Sequence, residues 1–215
     1  MTTWYISDSH LGHDNIRIYC QRPFFNCHDM NKHISREWNK RVKRGDIVFH
    51  LGDLASPRDK DPKRFIEHLN GTIILVKGNH DKPELVKKMP MWTRSMGRQI
   101  GQYHCLLNHR PLYPNSMLNT HNDPFGDHDN SIDNPNQYDF ILSGHIHNNY
   151  EEKNGKKIGR LWTGRSLNLS VELHNYAPVS EEEVLAMLNA RNNSIHQGTY
   201  QDIILGDKAS WLKMN

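Results

Sequence analysis

Cysteine is scarce in this chain. Cys20, Cys27 and Cys105 are the three among 215 residues, an odd number that cannot all pair internally, and their spacing fits neither a zinc ribbon nor a redox Cys-x-x-Cys. All three are read as reduced thiols. Cys105 lies in an apolar run and belongs to the core, while Cys20 and Cys27 flank Arg22-Pro23-Phe24-Phe25 in a loop. An excess of one charge is missing too: 27 Lys and Arg stand against 24 Asp and Glu, which gives no strong pull towards nucleic acid or an anionic membrane. No apolar stretch is long enough to span a bilayer, and the N-terminus runs almost directly into a strand, leaving no room for a signal peptide. No membrane partner and a cytoplasmic location are expected. Internal repeats and low-complexity tracts are absent as well. A chain of 215 residues supports one good core, so a single domain over residues 1–215 is the expectation.

What the chain does have is five short segments rich in metal-ligating side chains. They are Asp8-Ser9-His10, Gly52-Asp53, Gly78-Asn79-His80-Asp81, His109, and Gly144-His145-Ile146-His147. Each follows an apolar run: Trp4–Ile6, Ile47–Leu51, Thr72–Val76, Cys105–Leu107 and Phe140–Leu142 in turn. The runs are short, rich in β-branched or aromatic residues and stopped by Gly or Asn, and so read as buried strands. Five strands that each end at such a set describe an α/β sheet with a site at one edge. The mixture of carboxylate, imidazole and amide oxygen suits two divalent cations about 3.5–4 Å apart that share one carboxylate.

Helical patterns fill the gaps in the first ninety residues. Asp29 is positioned to cap a helix through about Lys43, with Met30, Ile34, Trp38 and Val42 on one face. Its basic residues Lys32, Arg36, Lys40 and Arg41 read as a solvated surface, because no aromatic residues interleave with them as a nucleic-acid contact needs. Pro62 opens a short helix through Leu69, Pro83 another through about Met89, and Ser180 a last one with Glu183 in the capping-box position. From Met91 to Leu173 the pattern turns to strands at 102–107, 140–143, 161–163 and 167–173, which implies a second, more antiparallel sheet. A long aperiodic segment at about 110–137 adjoins two of the ligand segments and is expected to overhang the site. The tail, residues 192–215, has no clear assignment beyond an edge strand at 200–205.

The five segments in this order resemble the calcineurin-like metallophosphoesterase superfamily. More narrowly, Tyr5 through Asn15, the following Arg22-Pro23-Phe24 and residues 168–180 are similar to small single-domain phosphoesterases of bacteria and bacteriophages, and a phage-encoded member would work in the host cytoplasm. The resemblance covers residues 4 to about 180. It implies a four-layer α/β sandwich, two mixed sheets flanked by helices, with a dinuclear site at one end. It further implies that Asp8, His10 and His147 hold one metal, that Asn79, His109 and His145 hold the other, and that Asp53 bridges them. Manganese is the expected ion, with Fe, Zn, Co or Ni as alternatives. A water between the cations would lose a proton near neutral pH and attack phosphorus in line with the leaving group. His80 would protonate the leaving oxygen, with Asp81 beside it orienting the ring.

His13, Asn15, Arg22 and Arg110 are expected substrate contacts, the arginines as phosphate grips. His50 reads as a hydrogen-bonded core histidine, and His121 and His128 as loop surface. The function expected is hydrolysis of a small phosphorylated, nucleotide-like diester or monoester by a metal-dependent phosphoesterase. A nuclease would need a basic, aromatic-lined track near the site. A non-catalytic scaffold of the same fold should lack some ligands or the His80 position, and this chain has them all.

Overall fold

Trp4 and Ile6 face one core while Tyr5 between them faces another. The same alternation separates Val48 from Phe49 and Leu75 from Val76, so the sheet these residues form is buried on both sides. A computed structural model describes residues 1–56, 58, 61–111, 137–148, 150–153, 156–196 and 204–205. In it, β1 (Thr3–Ile6), β2 (Ile47–His50), β3 (Thr72–Val76) and β4 (Met91–Thr93) run parallel in one sheet, and β12 (Val179–Ser180) joins the free edge of β1 antiparallel. Ile6 lies opposite His50, and His50 opposite Leu75. That register brings the ends of β1, β2 and β3 side by side.

The second sheet has the order β10 (Trp162–Thr163), β11 (Ser166–Asn168), β7 (Phe140–Ser143), β6 (Tyr103–Asn108), β5 (Ser95–Ile100). Its three central strands are parallel and its two edges antiparallel, so it is more antiparallel than the first sheet, as expected, while half of its pairings are parallel. Leu107, Leu142 and Leu167 are aligned across it, which sets His109, Gly144-His145 and the turn after Asn168 at one end. A small third sheet, β8 (Tyr150–Lys153), β9 (Lys156–Arg160) and β13 (Ile204–Leu205), is antiparallel throughout. Only β13 of these was foreseen, because the charged β8–β9 hairpin offers no apolar alternation.

Helices α1 (Asp14–Tyr19), α2 (Cys27–Arg41), α3 (Lys63–Ile66) and α4 (Pro83–Val86) cover the outer face of the first sheet, α2 through Met30, Ile34 and Trp38. Val184 and Leu188 of α5 (Glu181–His196) join the core shared by the two sheets. The fold is therefore an α/β sandwich of two mixed sheets with helices. Ser180 and Glu183 form the expected capping box: each side chain accepts the other's backbone N–H, at 2.7 and 3.2 Å.

Two local expectations change. Asn26, and not Asp29, caps α2: its side chain accepts the Asp29 amide at 2.8 Å. Residues 167–173 are not one strand, because Asn168 Oδ1 accepts the Ser170 amide at 3.1 Å and turns the chain into a 3₁₀ helix at Val171–Leu173. Cys20 and Cys27 flank the loop of Arg22-Pro23-Phe24-Phe25 as expected, Cys20 buried at the end of α1 and Cys27 opening α2, and Cys105 is core. The thiols of all three are free. Most of the long 110–137 segment, with His121 and His128, and the tail other than 192–196 and 204–205 lie outside the described residues.

Candidate metal centre

The ends of β1, β2 and β3 meet those of β6 and β7, and the side chains projecting there form two adjoining groups. In one, Asp8 Oδ1 lies 3.5 Å from His147 Nε2 and 3.9 Å from His10 Nε2. In the other, Asn79 Oδ1 is 3.0 Å from His109 Nε2 and 3.1 Å from His145 Nδ1, and the two ring nitrogens are 3.3 Å apart. Asp53 sits between them. Its Oδ2 is 3.5 Å from His10 Nε2 and 3.4 Å from His109 Nε2, while Oδ1 accepts the His80 amide at 2.8 Å.

Close backbone approach makes this packing possible. A Cβ on Gly144 would strike Ser7 Oγ and Asp8 Oδ2, and one on Gly78 would strike Asp53. Gly52, at φ 96°, lies against the His109 ring. The motif glycines therefore keep strand ends at a separation that side chains would prevent.

Supporting hydrogen bonds orient the ligands. Asp8 Oδ2 accepts the His145 amide at 2.9 Å and lies 3.0 Å from Ser170 Oγ, which leaves Oδ1 facing the imidazoles. His109 Nδ1 is 2.8 Å from the Leu51 carbonyl and so carries the proton, turning the Nε2 lone pair inward. Burial opposes a charge on Asp53, but His109 and His10 outweigh it and hold the carboxyl far below its usual range. Burial likewise lowers His109, yet Asp53 lifts it to about 9. His145 is pushed down to about 3 by burial and by His109. One proton thus sits among these lone pairs where a cation would hold them all.

The donor set fits a cation on two grounds. Among the described residues, Asp8 Oδ1 and His10 Nε2 are buried with no hydrogen-bond partner, which is costly unless something positive lies between them. Two ligands about 2.1 Å from one ion lie roughly 3.0 Å apart at a right angle and 3.4 Å at a tetrahedral one, and most separations above fall in that range. Asp8, His10 and His147, and again Asp8, Asp53 and His109, offer donor atoms that all lie within 4.8 Å of one another. Mixed N and O donors suit Mn, Fe, Zn or Co better than an ion demanding oxygen alone.

The remaining expected residues divide. His80 is half-buried at the open side, its ring centroid 5.4 Å from that of His10. His13 stands beside it, 5.4 Å from His10 and 6.3 Å from His80. The charge of Arg110 is near enough to help lower His145. Asn15 is exposed on the first turn of α1. Asp81 does not orient the His80 ring: its oxygens accept the amides of Asp53, Gly78 and Leu54 at 2.8, 2.8 and 2.9 Å, clamping two ligand loops together. Arg22 is no surface phosphate grip either. Its guanidinium is buried under the site on Glu172 and on the carbonyls of Asp8 and Ser9.

Glu172 was missed by reading motifs. The alternation of residues 167–173 puts Glu172 on the polar positions with Asn168 and Ser170, so no local signal separates it from a solvated acid. Arg22 and His147 outweigh burial and hold its carboxyl far below the ordinary range. His50 is the core histidine expected, with Nε2 2.8 Å from Ser9 Oγ.

Two mixed sheets whose strand ends pool carboxylates and imidazoles define the class, an α/β phosphoesterase fold. The chain belongs to the calcineurin-like phosphoesterase superfamily, whose domain model matches residues 1–165, and with it to a class of metal-dependent phosphoesterases. It is 32% identical over 189 residues to an uncharacterized protein of Methanocaldococcus jannaschii, covering 85% of this chain and 89% of that one. A shorter match to the Gene 66 protein of Mycobacterium phage D29 is 29% identical over 83 residues, 37% of this chain and 40% of the phage protein. The crystal structure of a protein of unknown function from Aquifex aeolicus shares the fold, with a TM-score of 0.65 at 24% identity over 86% of this chain and 98% of that one.

Proposed function

We propose that this chain is a dinuclear metal-dependent phosphoesterase acting on a small nucleotide-like phosphodiester or phosphomonoester. The reading rests on Asp53 Oδ2, which faces His10 Nε2 at 3.5 Å on one side and His109 Nε2 at 3.4 Å on the other. Asp8, His10 and His147 would hold one ion, Asn79, His109 and His145 the other, and Asp53 would be common to both. Two cations there, manganese by preference, would supply Lewis acidity at the phosphoryl oxygens and lower the pKa of a water between them.

The chain's own groups do the rest. Asp53 would bring its negative charge to both ions and lessen their repulsion. His80 stands at the open side of the cluster and gives its proton to the leaving oxygen. His13 beside it and Arg110 near His145 bind the non-bridging phosphoryl oxygens. The nearly balanced charge, 27 basic against 24 acidic residues, favours a small substrate over a polynucleotide.

The test is hydrolysis of bis-p-nitrophenyl phosphate and p-nitrophenyl phosphate by metal-stripped protein with Mn²⁺ restored. Asp53→Ala is expected to lose metal and turnover together. His80→Ala keeps its metal and loses about 10²- to 10⁴-fold in turnover of esters with poor leaving groups, and less with nitrophenyl esters. Full activity of His80→Ala on a poor leaving group removes the general-acid role. Metal-independent turnover sinks the whole reading.

A further inference from the structure

Glu172 lies on the 3₁₀ turn that follows β11, and no metal-binding motif contains it. Its side chain is only 3% exposed. Oε1 accepts three hydrogen bonds, from Arg22 Nε at 2.9 Å, Arg22 Nη2 at 2.7 Å and His147 Nδ1 at 2.9 Å. The Arg22 side chain, fully buried, continues past it. Nη2 donates to the Asp8 carbonyl at 2.6 Å and Nη1 to the Ser9 carbonyl at 3.0 Å.

This strut touches two ligand segments from two sheets. On the β7 side it holds the proton of His147 on Nδ1, which leaves the Nε2 lone pair free and aimed at Asp8 Oδ1, 3.5 Å away. On the β1 side it grips the backbone at Asp8 and Ser9, where Asp8 and His10 both adopt left-handed φ values of 57° and 48°. Asn168 Nδ2 adds a bond to the His147 carbonyl at 2.7 Å. Cys20 also has its sulfur near His147 and Glu172, but the guanidinium of Arg22 already neutralises Glu172. Glu172 Oε2 is buried with no hydrogen-bond partner among the described residues, but the ion pair through Oε1 leaves the group no net negative charge with which to hold a cation.

We infer that Glu172 is a positioning residue for one half of the metal centre: with Arg22 it fixes the tautomer and direction of His147 and the strained turn that carries Asp8 and His10. The inference rests on the dinuclear reading above and adds an asymmetry to it. The Asp8–His10–His147 site depends on this buried pair, whose hydrogen bonds go to His147 and to the carbonyls of Asp8 and Ser9. A carboxylate behind a ligating imidazole raises its basicity as well as holding it, and losing one typically costs 10- to 100-fold in metal affinity.

The experiment is calorimetric titration of metal-stripped protein with Mn²⁺, comparing wild type, Glu172→Gln and Glu172→Asp. Wild type takes up two ions. Glu172→Gln keeps one site at native affinity and weakens the other 10- to 100-fold, and Glu172→Asp restores part of that loss. In the Zn²⁺-loaded protein, the slowly exchanging Nδ1–H proton of His147 is present for wild type and shifted or lost for Glu172→Gln by NMR. Removing one partner of a buried ion pair can unfold a protein, so the double variant Arg22→Met/Glu172→Met is titrated in parallel. It keeps the packing and is expected to show the same single weakened site. Two native-affinity sites in Glu172→Gln or in the double variant overturn the positioning role alone. Fewer than two ions in wild type overturn the dinuclear reading, and the positioning role with it.

Discussion

Asp8, His10, Asp53, His145 and His147 have φ between 48° and 70°, a left-handed region that costs a non-glycine residue roughly 1–2 kcal/mol. Five of the seven proposed ligands therefore hold conformations that local preference opposes. His10 is the extreme case, since both its ring nitrogens are buried without a hydrogen bond among the described residues. A bound cation is what would offset such costs, because it binds the folded chain alone. His10→Asn puts a side chain tolerant of this φ at the same place. Metal-stripped His10→Asn is expected to melt at or above metal-stripped wild type in a calorimetric scan. Adding Mn²⁺ should raise the wild-type Tm by several degrees and the variant's by clearly less, since the Asn79–His109–His145 half keeps its ligands. A markedly lower Tm for the stripped variant would show that packing around the ring, and not metal, holds His10 in place.

Elements contribute through where they stop. The parallel register that aligns Ile6, His50 and Leu75 delivers three ligand loops to one line, and β6 and β7 deliver two more. Asp81 then staples two of the loops through three amides, a role that its place beside His80 in sequence does not disclose. Helix α2 closes the outer face with Met30, Ile34 and Trp38 fully buried, and its start depends on one side chain. Asn26→Ala should cost about 1 kcal/mol, the usual value of a lost N-cap, read as a lower urea midpoint at unchanged slope. Asp29→Ala, which loses only an acid in the first turn, should cost roughly half that or less. The reverse order would return the cap to Asp29.

At the scale of the whole molecule, the layer between the first sheet and α2 encloses a group that must stay neutral. His50 is fully buried, bonded to Ser9 and stacked on Trp38 with ring centroids 6.3 Å apart. Burial pushes its pKa down to about 3. The unfolded chain takes up a proton near pH 6.5 that the folded chain refuses until about pH 3. The sign follows: this contribution is whole above pH 6.5 and is lost as pH falls, at no more than about 1.4 kcal/mol per pH unit. His50→Gln retains a polar atom for Ser9 and cannot titrate. Wild type should lose Tm faster than His50→Gln between pH 7 and 5, so that the curves converge in acid. Parallel curves would mean that His50 is protonated in the folded state.

Much of this was legible in the linear chain, for a physical reason. Strands buried on both faces must be apolar along their length, and a cation site needs carboxylate and imidazole at fixed offsets, so Thr72–Val76 followed by Gly78-Asn79-His80-Asp81 declares both a strand and a ligand loop. Motif order likewise located the seven residues that now lie within two adjoining groups. What the sequence could not decide depends on side chains far apart in the chain. Arg22 and Glu172 are 150 positions apart, and either alone looks like a surface charge. Only their burial against one another turns them into a strut. Asp81 likewise adjoins His80 in the chain but turns to the amides of Asp53 and Leu54 in space, because a buried carboxylate goes where unpaired N–H groups converge. Local pattern determined the elements and the types of candidate ligand, and tertiary packing alone determined which charged groups line the candidate metal centre and which hold those that do.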